Sequence, residues 1–80
     1  KLAALQKIVA ERSLDLETVA YVGNDVNDLA CMGYVGIPIA VADAVPEIKN
    51  IAQIITTNRG GYGAVREVAD LILRALASTT

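Results

Sequence analysis

Asn24, Asp25, Asn27 and Asp28 put two carboxylates and two amides into five consecutive positions directly behind Gly23. Hard oxygen donors of this kind suit Mg²⁺, which takes one or two carboxylates and completes its shell with waters and substrate phosphate. The chain has no histidine and a single cysteine, Cys31, so a thiolate–imidazole zinc site and an internal disulfide are both excluded. Any metal would be bound by oxygen. Taken singly, each Asn or Asp here is better explained as a turn former or a cap for the next helix. Taken together, directly behind an apolar strand, they are better explained as a ligand cluster.

A second candidate is Gly60-Gly61-Tyr62-Gly63, between an expected strand and an expected helix. Its backbone N–H groups could hold an anion such as phosphate or carboxylate. It could equally be a flexible turn. The spacing is not Gly-x-Gly-x-x-Gly, which argues against a dinucleotide site. Arg66 and Glu67 beyond it read as solvated helix charges more readily than as pairs with a neighbouring chain. Cys31 and Met32 read as packing residues, and so do Tyr21 and Tyr34.

These residues need elements to position them. Leu2, Leu5, Ile8 and Val9 recur at helical spacing, which predicts an opening helix ending near Ser13. Residues 19–22 form a short β-rich run stopped by Gly23, and the Asx cluster then turns into a short helix at Leu29 to Met32. A second strand is expected over 37–41, a helix over 46–52 and a third strand over 54–57. A last helix carries Val65, Val68, Ile72, Leu73 and Leu76 on one face, with Arg66, Glu67, Asp70 and Arg74 mostly on the other. Helix and strand alternate three times before the closing helix, the pattern of an α/β, Rossmann-like parallel sheet with helices on both faces. About three strands and four helices make a small sheet, so the expectation is a partial domain whose amino-terminal half would add further strands. In open sheets of this class ligands bind at the carboxyl ends of the strands, which is where residues 23–28 fall.

The composition agrees. A hydrophobic fraction of 54% and a mean hydropathy of +0.44 are high for a lone 80-residue domain and point to missing neighbours or partner subunits. A homo-oligomer is expected, with a tetramer as one form. Seven basic and nine acidic residues give a net charge of −2 without a run of either sign, so nucleic acid is not an expected partner. Apolar stretches break well before the roughly 18 residues a membrane helix needs, and the chain opens on no signal-peptide layout. A cytoplasmic location is the default expectation. The absence of a cap before Lys1 fits a sequence cut from a longer chain.

The stretch from Val19 to Met32, with Gly23-Asn24-Asp25-Val26-Asn27-Asp28 at its centre, resembles the fourth motif of haloacid dehalogenase (HAD) superfamily phosphatases, Gly-Asp-x-x-x-Asp after a strand. The similarity continues through Val35 to Ala44, Pro46-Glu47 and Gly60 to Glu67. It looks like the compact subgroup containing 3-deoxy-octulosonate 8-phosphate phosphatases and the phosphatase-like domain of acylneuraminate cytidylyltransferases. The resemblance implies that residues 1–80 form the carboxyl-terminal half of a HAD-like phosphatase domain. It implies Mg²⁺ as cofactor and a small phosphorylated sugar acid as substrate. Asn24 falls where the family has its first metal-binding acid, Asp28 matches the second, and Asp25 lies beside them as an extra carboxylate. Lys1 matches the third-motif lysine, which steadies the nucleophile and the transferring phosphoryl group. Gly60, Gly61 and Gly63 fall near the active-site mouth, and Tyr62 stands where many relatives carry Arg.

The family's chemistry also needs an aspartate nucleophile with a second Asp two residues on, and the chain contains no Asp-x-Asp. Asp15-Leu16-Glu17 precedes a strand and would lie at the wrong end of the sheet. The segment alone is therefore expected to be inactive. Two functions remain open for the parent: a Mg²⁺-dependent phosphatase, or an oligomerisation domain of a cytidylyltransferase that makes CMP-sialic acid. The amide at Asn24 favours the second, and the carboxylates of Asp25 and Asp28 favour the first.

Overall fold

The computed structural model describes residues 1–61 and 63–78, with side chains through Leu73. Tyr62 lies outside the described residues, and the side chains of Arg74 and Leu76 lie outside them too. The opening helix α1 (Leu2–Glu11) buries Val9 and half-buries Leu2 and Leu5. It stops where expected, because Ser13 takes a left-handed conformation (φ 51°) and Leu14 N–H bonds back to Val9 O at 3.0 Å. A short 3-10 turn, Leu16–Thr18, follows, with the Asp15 carboxylate accepting from Glu17 N–H.

The chain then runs through β1 (Ala20–Gly23), a 3-10 turn at Val26–Asp28, α2 (Leu29–Tyr34), β2 (Ile37–Ala40), α3 (Pro46–Ile51), β3 (Ile54–Ile55) and α4 (Ala64–Ser78). The three strands form one parallel sheet in the order β1-β2-β3, with Gly23 opposite Ala40 and Ile39 opposite Ile54. This is the parallel Rossmann-type α/β arrangement that the alternation of elements predicts. Side chains alternate across a strand, so Tyr21 turns to the core while Val22 stays 41% exposed. The core is Met32, Ala40, Val41, Ala44, Ile48 and Ala64, with Tyr21, Val45 and Ala52 packed against it.

Pro38 sits in the middle strand, where a missing N–H would normally break the ladder. Here it faces the β3 side just before pairing there begins at Ile39, and its carbonyl still accepts from Gln53 N–H at 2.8 Å. β3 is shorter than the expected 54–57, because side chains take over the backbone groups that would extend it. Thr56 Oγ1 accepts from Ala42 N–H and donates to Asn58 O, and Thr57 and Asn58 give their N–H groups to Glu67.

The loops after all three strands meet at one end of the sheet. Val45 N–H bonds to Asn24 O at 3.0 Å, Ala42 N–H to Asn58 O at 3.3 Å, and Gly60 N–H to Asp43 Oδ1 at 2.9 Å. At the opposite end Gly36 abuts the Leu16–Thr18 turn. A Cβ there would collide with the Glu17 backbone and lie 2.7 Å from Leu16 O. Backbone cannot yield as a flexible side chain can, so Gly36→Ala is expected to cost about 2 kcal/mol of stability, read as a lower urea midpoint.

Candidate phosphate and metal site

The carboxylate of Asp28 organises the end of the sheet where these loops meet. It is 5% exposed, and its two oxygens accept from four donors. Lys1 Nζ (2.9 Å) and the Tyr21 hydroxyl (3.0 Å) both donate to Oδ1. The backbone N–H groups of Asn24 (3.0 Å) and Asp25 (3.3 Å) both donate to Oδ2. The local sequence dictates this geometry. Asp25 caps the Val26–Asp28 turn by accepting from Val26 N–H at 2.7 Å, and Asp28, three residues on, reaches back to the cap's own N–H as in a capping box.

Gly23 lets the turn pack this closely. A Cβ there would run into Met32 Sδ and come within 2.9 Å of Asp28 Cβ. Burial pushes the Asp28 carboxyl pKa up, but the donors from Asn24, Lys1, Asp25 and Tyr21 overcome it and hold the pKa down at about 2. The Tyr21 hydroxyl is pushed the other way, first by burial and then by its bond to the Asp28 carboxylate.

Lys1 and the turn residues Asn24 and Asp25 thus meet at Asp28, in different roles. Lys1, the cap position of α1, brings its ammonium across 27 positions of sequence to Asp28, and its side chain remains 57% exposed. A carboxylate has about four acceptor positions, and those of Asp28 are filled by protein donors. Asn24 and Asp25 are exposed, with the Asn24 side-chain amide and Asp25 Oδ2 making no hydrogen bond among the described residues. These two oxygens fit Mg²⁺ in kind, since it favours hard oxygen and keeps several waters. They supply one negative charge between them. Among the described residues no group of three or more His, Cys, Asp and Glu side chains could hold a metal.

Of the glycine segment, Gly60 is half-buried beside Val41 and tied to Asp43, while Gly61 (φ 76°) and Gly63 (φ 102°) take left-handed conformations that explain glycine there. The structure corrects the reading of Glu67. Its carboxylate accepts from Thr57 N–H at 2.9 and 2.7 Å, Asn58 N–H at 2.8 Å and Asn58 Nδ2 at 3.1 Å, and these bonds hold its pKa below the usual carboxylate range. It clamps the start of α4 to the end of β3, so the glycine segment leaves from a fixed point. Arg66 behaves as expected, in an exposed i,i+4 contact with Asp70 at 3.4 Å. Tyr21 is corrected as well, from plain packing residue to Asp28 donor. The cue lay in its place on β1, two residues before Gly23, which turns it to the same face as the Asx turn.

The model of the haloacid dehalogenase-like hydrolase family matches residues 1–68. The chain belongs to that family. It is 47% identical over 75 residues to the 3-deoxy-D-manno-octulosonate 8-phosphate phosphatase of Yersinia pestis, covering 94% of this chain and 40% of that protein. Among solved structures it resembles the Moraxella catarrhalis enzyme of that name in complex with magnesium, phosphate and 3-deoxy-D-manno-octulosonate. The TM-score is 0.88 at 39% identity, over 94% of this chain and 43% of that one. It also resembles the cobalt-bound Haemophilus influenzae phosphatase, with a TM-score of 0.86 at 36% identity, over 91% of this chain and 43% of that one. The chain therefore spans about 40% of the length of the curated relatives it matches. Among the described residues of this haloacid dehalogenase-like chain, no helix is long and apolar enough to cross a membrane.

The depressed Asp28 pKa fixes a pH dependence. The ionised carboxylate stabilises the fold above its usual value of 3.8, and that contribution is lost as pH falls through about 2. The shift corresponds to about 2 kcal/mol as an upper value, because the Lys1 side chain is open to screening water. Asp28→Asn is expected to lower stability at pH 7 by up to that amount and to flatten the acid limb, read from urea midpoints at a series of pH values.

Proposed function

We propose that this chain is the metal- and phosphate-handling half of a Mg²⁺-dependent phosphatase that hydrolyses the phosphate monoester of a small sugar acid. The carrying observation is the convergence of the Lys1 ammonium and the Asn24 and Asp25 backbone N–H groups on the Asp28 carboxylate, just past the carboxyl end of β1. Relatives whose names specify a sugar-acid phosphate, one of them holding magnesium, phosphate and the sugar acid, support the reading. The attacking aspartate and its companion two residues on would come from chain outside residues 1–80.

Within this half, Lys1 offsets charge on the phosphoryl oxygens as the ester bond breaks, and Asp28 holds that ammonium in place. Asn24 and Asp25 are the side chains that would face the metal. Mg²⁺, when bound, neutralises charge between the nucleophile and the phosphoryl oxygens. The Glu67 clamp and the Asp43–Gly60 bond fix the base of the glycine segment; the Gly60 N–H, expected to meet phosphate, is spent on Asp43, which leaves the N–H groups of Gly61 and Gly63 as those that would border the substrate. Exposed Val65 (80%), Ile72 (49%) and Leu73 (63%) on α4 suit contact with further copies of the parent, in keeping with a homo-oligomer.

Asn24 favours a second reading. An uncharged amide at the family's first acidic position weakens the site, as suits a domain that serves a cytidylyltransferase chiefly by oligomerising. Assay of the full-length parent on sugar-acid phosphates, with and without Mg²⁺, separates the two. The phosphatase reading expects Mg²⁺-dependent hydrolysis, and Asn24→Asp lowering the half-saturating Mg²⁺ concentration by roughly tenfold. A parent that hydrolyses no phosphate ester in either form would contradict it.

A further inference from the structure

Asp28 Oδ1 has two side-chain donors, and only one of them is built into the sheet. Lys1 is a long, flexible side chain, 57% exposed, and Asp28 is its side-chain ion-pair partner among the described residues. An ammonium on such a stem is held only as firmly as its acceptor. The Asp28 carboxylate is fixed on one side by the N–H groups of Asn24 and Asp25 at Oδ2. Its other oxygen is fixed by the Tyr21 hydroxyl at 3.0 Å, from a ring packed against the core on β1.

We propose that Tyr21 is a positioning residue: its hydroxyl orients Asp28 Oδ1 so that the Lys1 ammonium is held at the phosphate-binding end of the sheet. The inference rests on the phosphatase reading for what Lys1 contacts, but the placement of Lys1 can be observed without any reaction. Without the hydroxyl the carboxylate keeps its two backbone donors and can swing about them, and Lys1 follows it towards solvent. Tyr21→Phe removes a single oxygen and keeps the packed ring, so the fold is retained.

The test uses the full-length parent with Tyr21→Phe, Lys1→Met and the double variant. The first readout is the order of the Lys1 ammonium, from ¹⁵N relaxation of its Nζ. The second is the affinity for inorganic phosphate by calorimetry, in EDTA and again in Mg²⁺. Tyr21→Phe is expected to loosen the Lys1 ammonium and to weaken phosphate binding about five- to tenfold, a loss that disappears when Lys1 is already Met. An equally ordered Lys1 in Tyr21→Phe, or the same loss of affinity in both backgrounds, would overturn the positioning role while leaving the phosphatase reading intact. If the unmodified parent binds no phosphate in either condition and hydrolyses no ester, the phosphatase reading falls and this inference falls with it.

Discussion

A buried carboxylate is stable only when its oxygens are matched by donors, and the mouth of this sheet is built around meeting that requirement at Asp28. Leaving any one of the four donors unmade would expose a charge to a low-dielectric surround. The cheapest arrangement is therefore the one in which β1, the Asx turn and the start of α1 all converge. Two of the donors are backbone N–H groups that the 3-10 turn would otherwise leave without partners, so one carboxylate satisfies the turn and anchors a distant lysine together. The fold and the candidate chemistry thus share a single electrostatic centre.

That sharing divides the work among the acidic and amide residues. Because Asp28 is spent on protein donors, the side-chain oxygens of this turn still exposed among the described residues are those of Asn24, Asp25 and Asn27. They carry one charge, too little to hold Mg²⁺ tightly, which fits a site completed by carboxylates from another part of a longer chain. Across the mouth a second carboxylate, Glu67, does for the β3–α4 connection what Asp28 does for the β1–α2 connection. Each gathers backbone N–H groups at the end of a strand and fixes where the following loop departs. Rigid loop bases of this kind place ligand-binding atoms more accurately than loops held by their tips.

Much of this was readable from residue types and spacing. The alternation of helical and strand periods gives a parallel α/β sheet, and the Asx cluster behind an apolar run marks the turn that ends β1. Lys1 stands out only because the following segment keeps the register of a known family, since nothing local to a lysine shows what it will reach 27 positions away. The roles of Tyr21 and Glu67 are hidden from a local reading for the same reason. Their partners lie 7 and 9–10 positions off in sequence and are brought close by strand pairing and the turn that follows it. Residues 54–57 favour strand by type, but propensity does not register that Thr56 and Glu67 intercept the backbone groups a longer β3 would use.

The measurement that bears most directly on this account is a crystal structure of the full-length parent with Mg²⁺ and a phosphoryl mimic such as orthovanadate. The account expects Lys1 Nζ to keep its bond to Asp28 Oδ1 while reaching an oxygen of the bound anion, with Asp28 itself outside the metal's inner shell. Asp28 ligating the metal directly, or Lys1 turned away from both Asp28 and the anion, would contradict it.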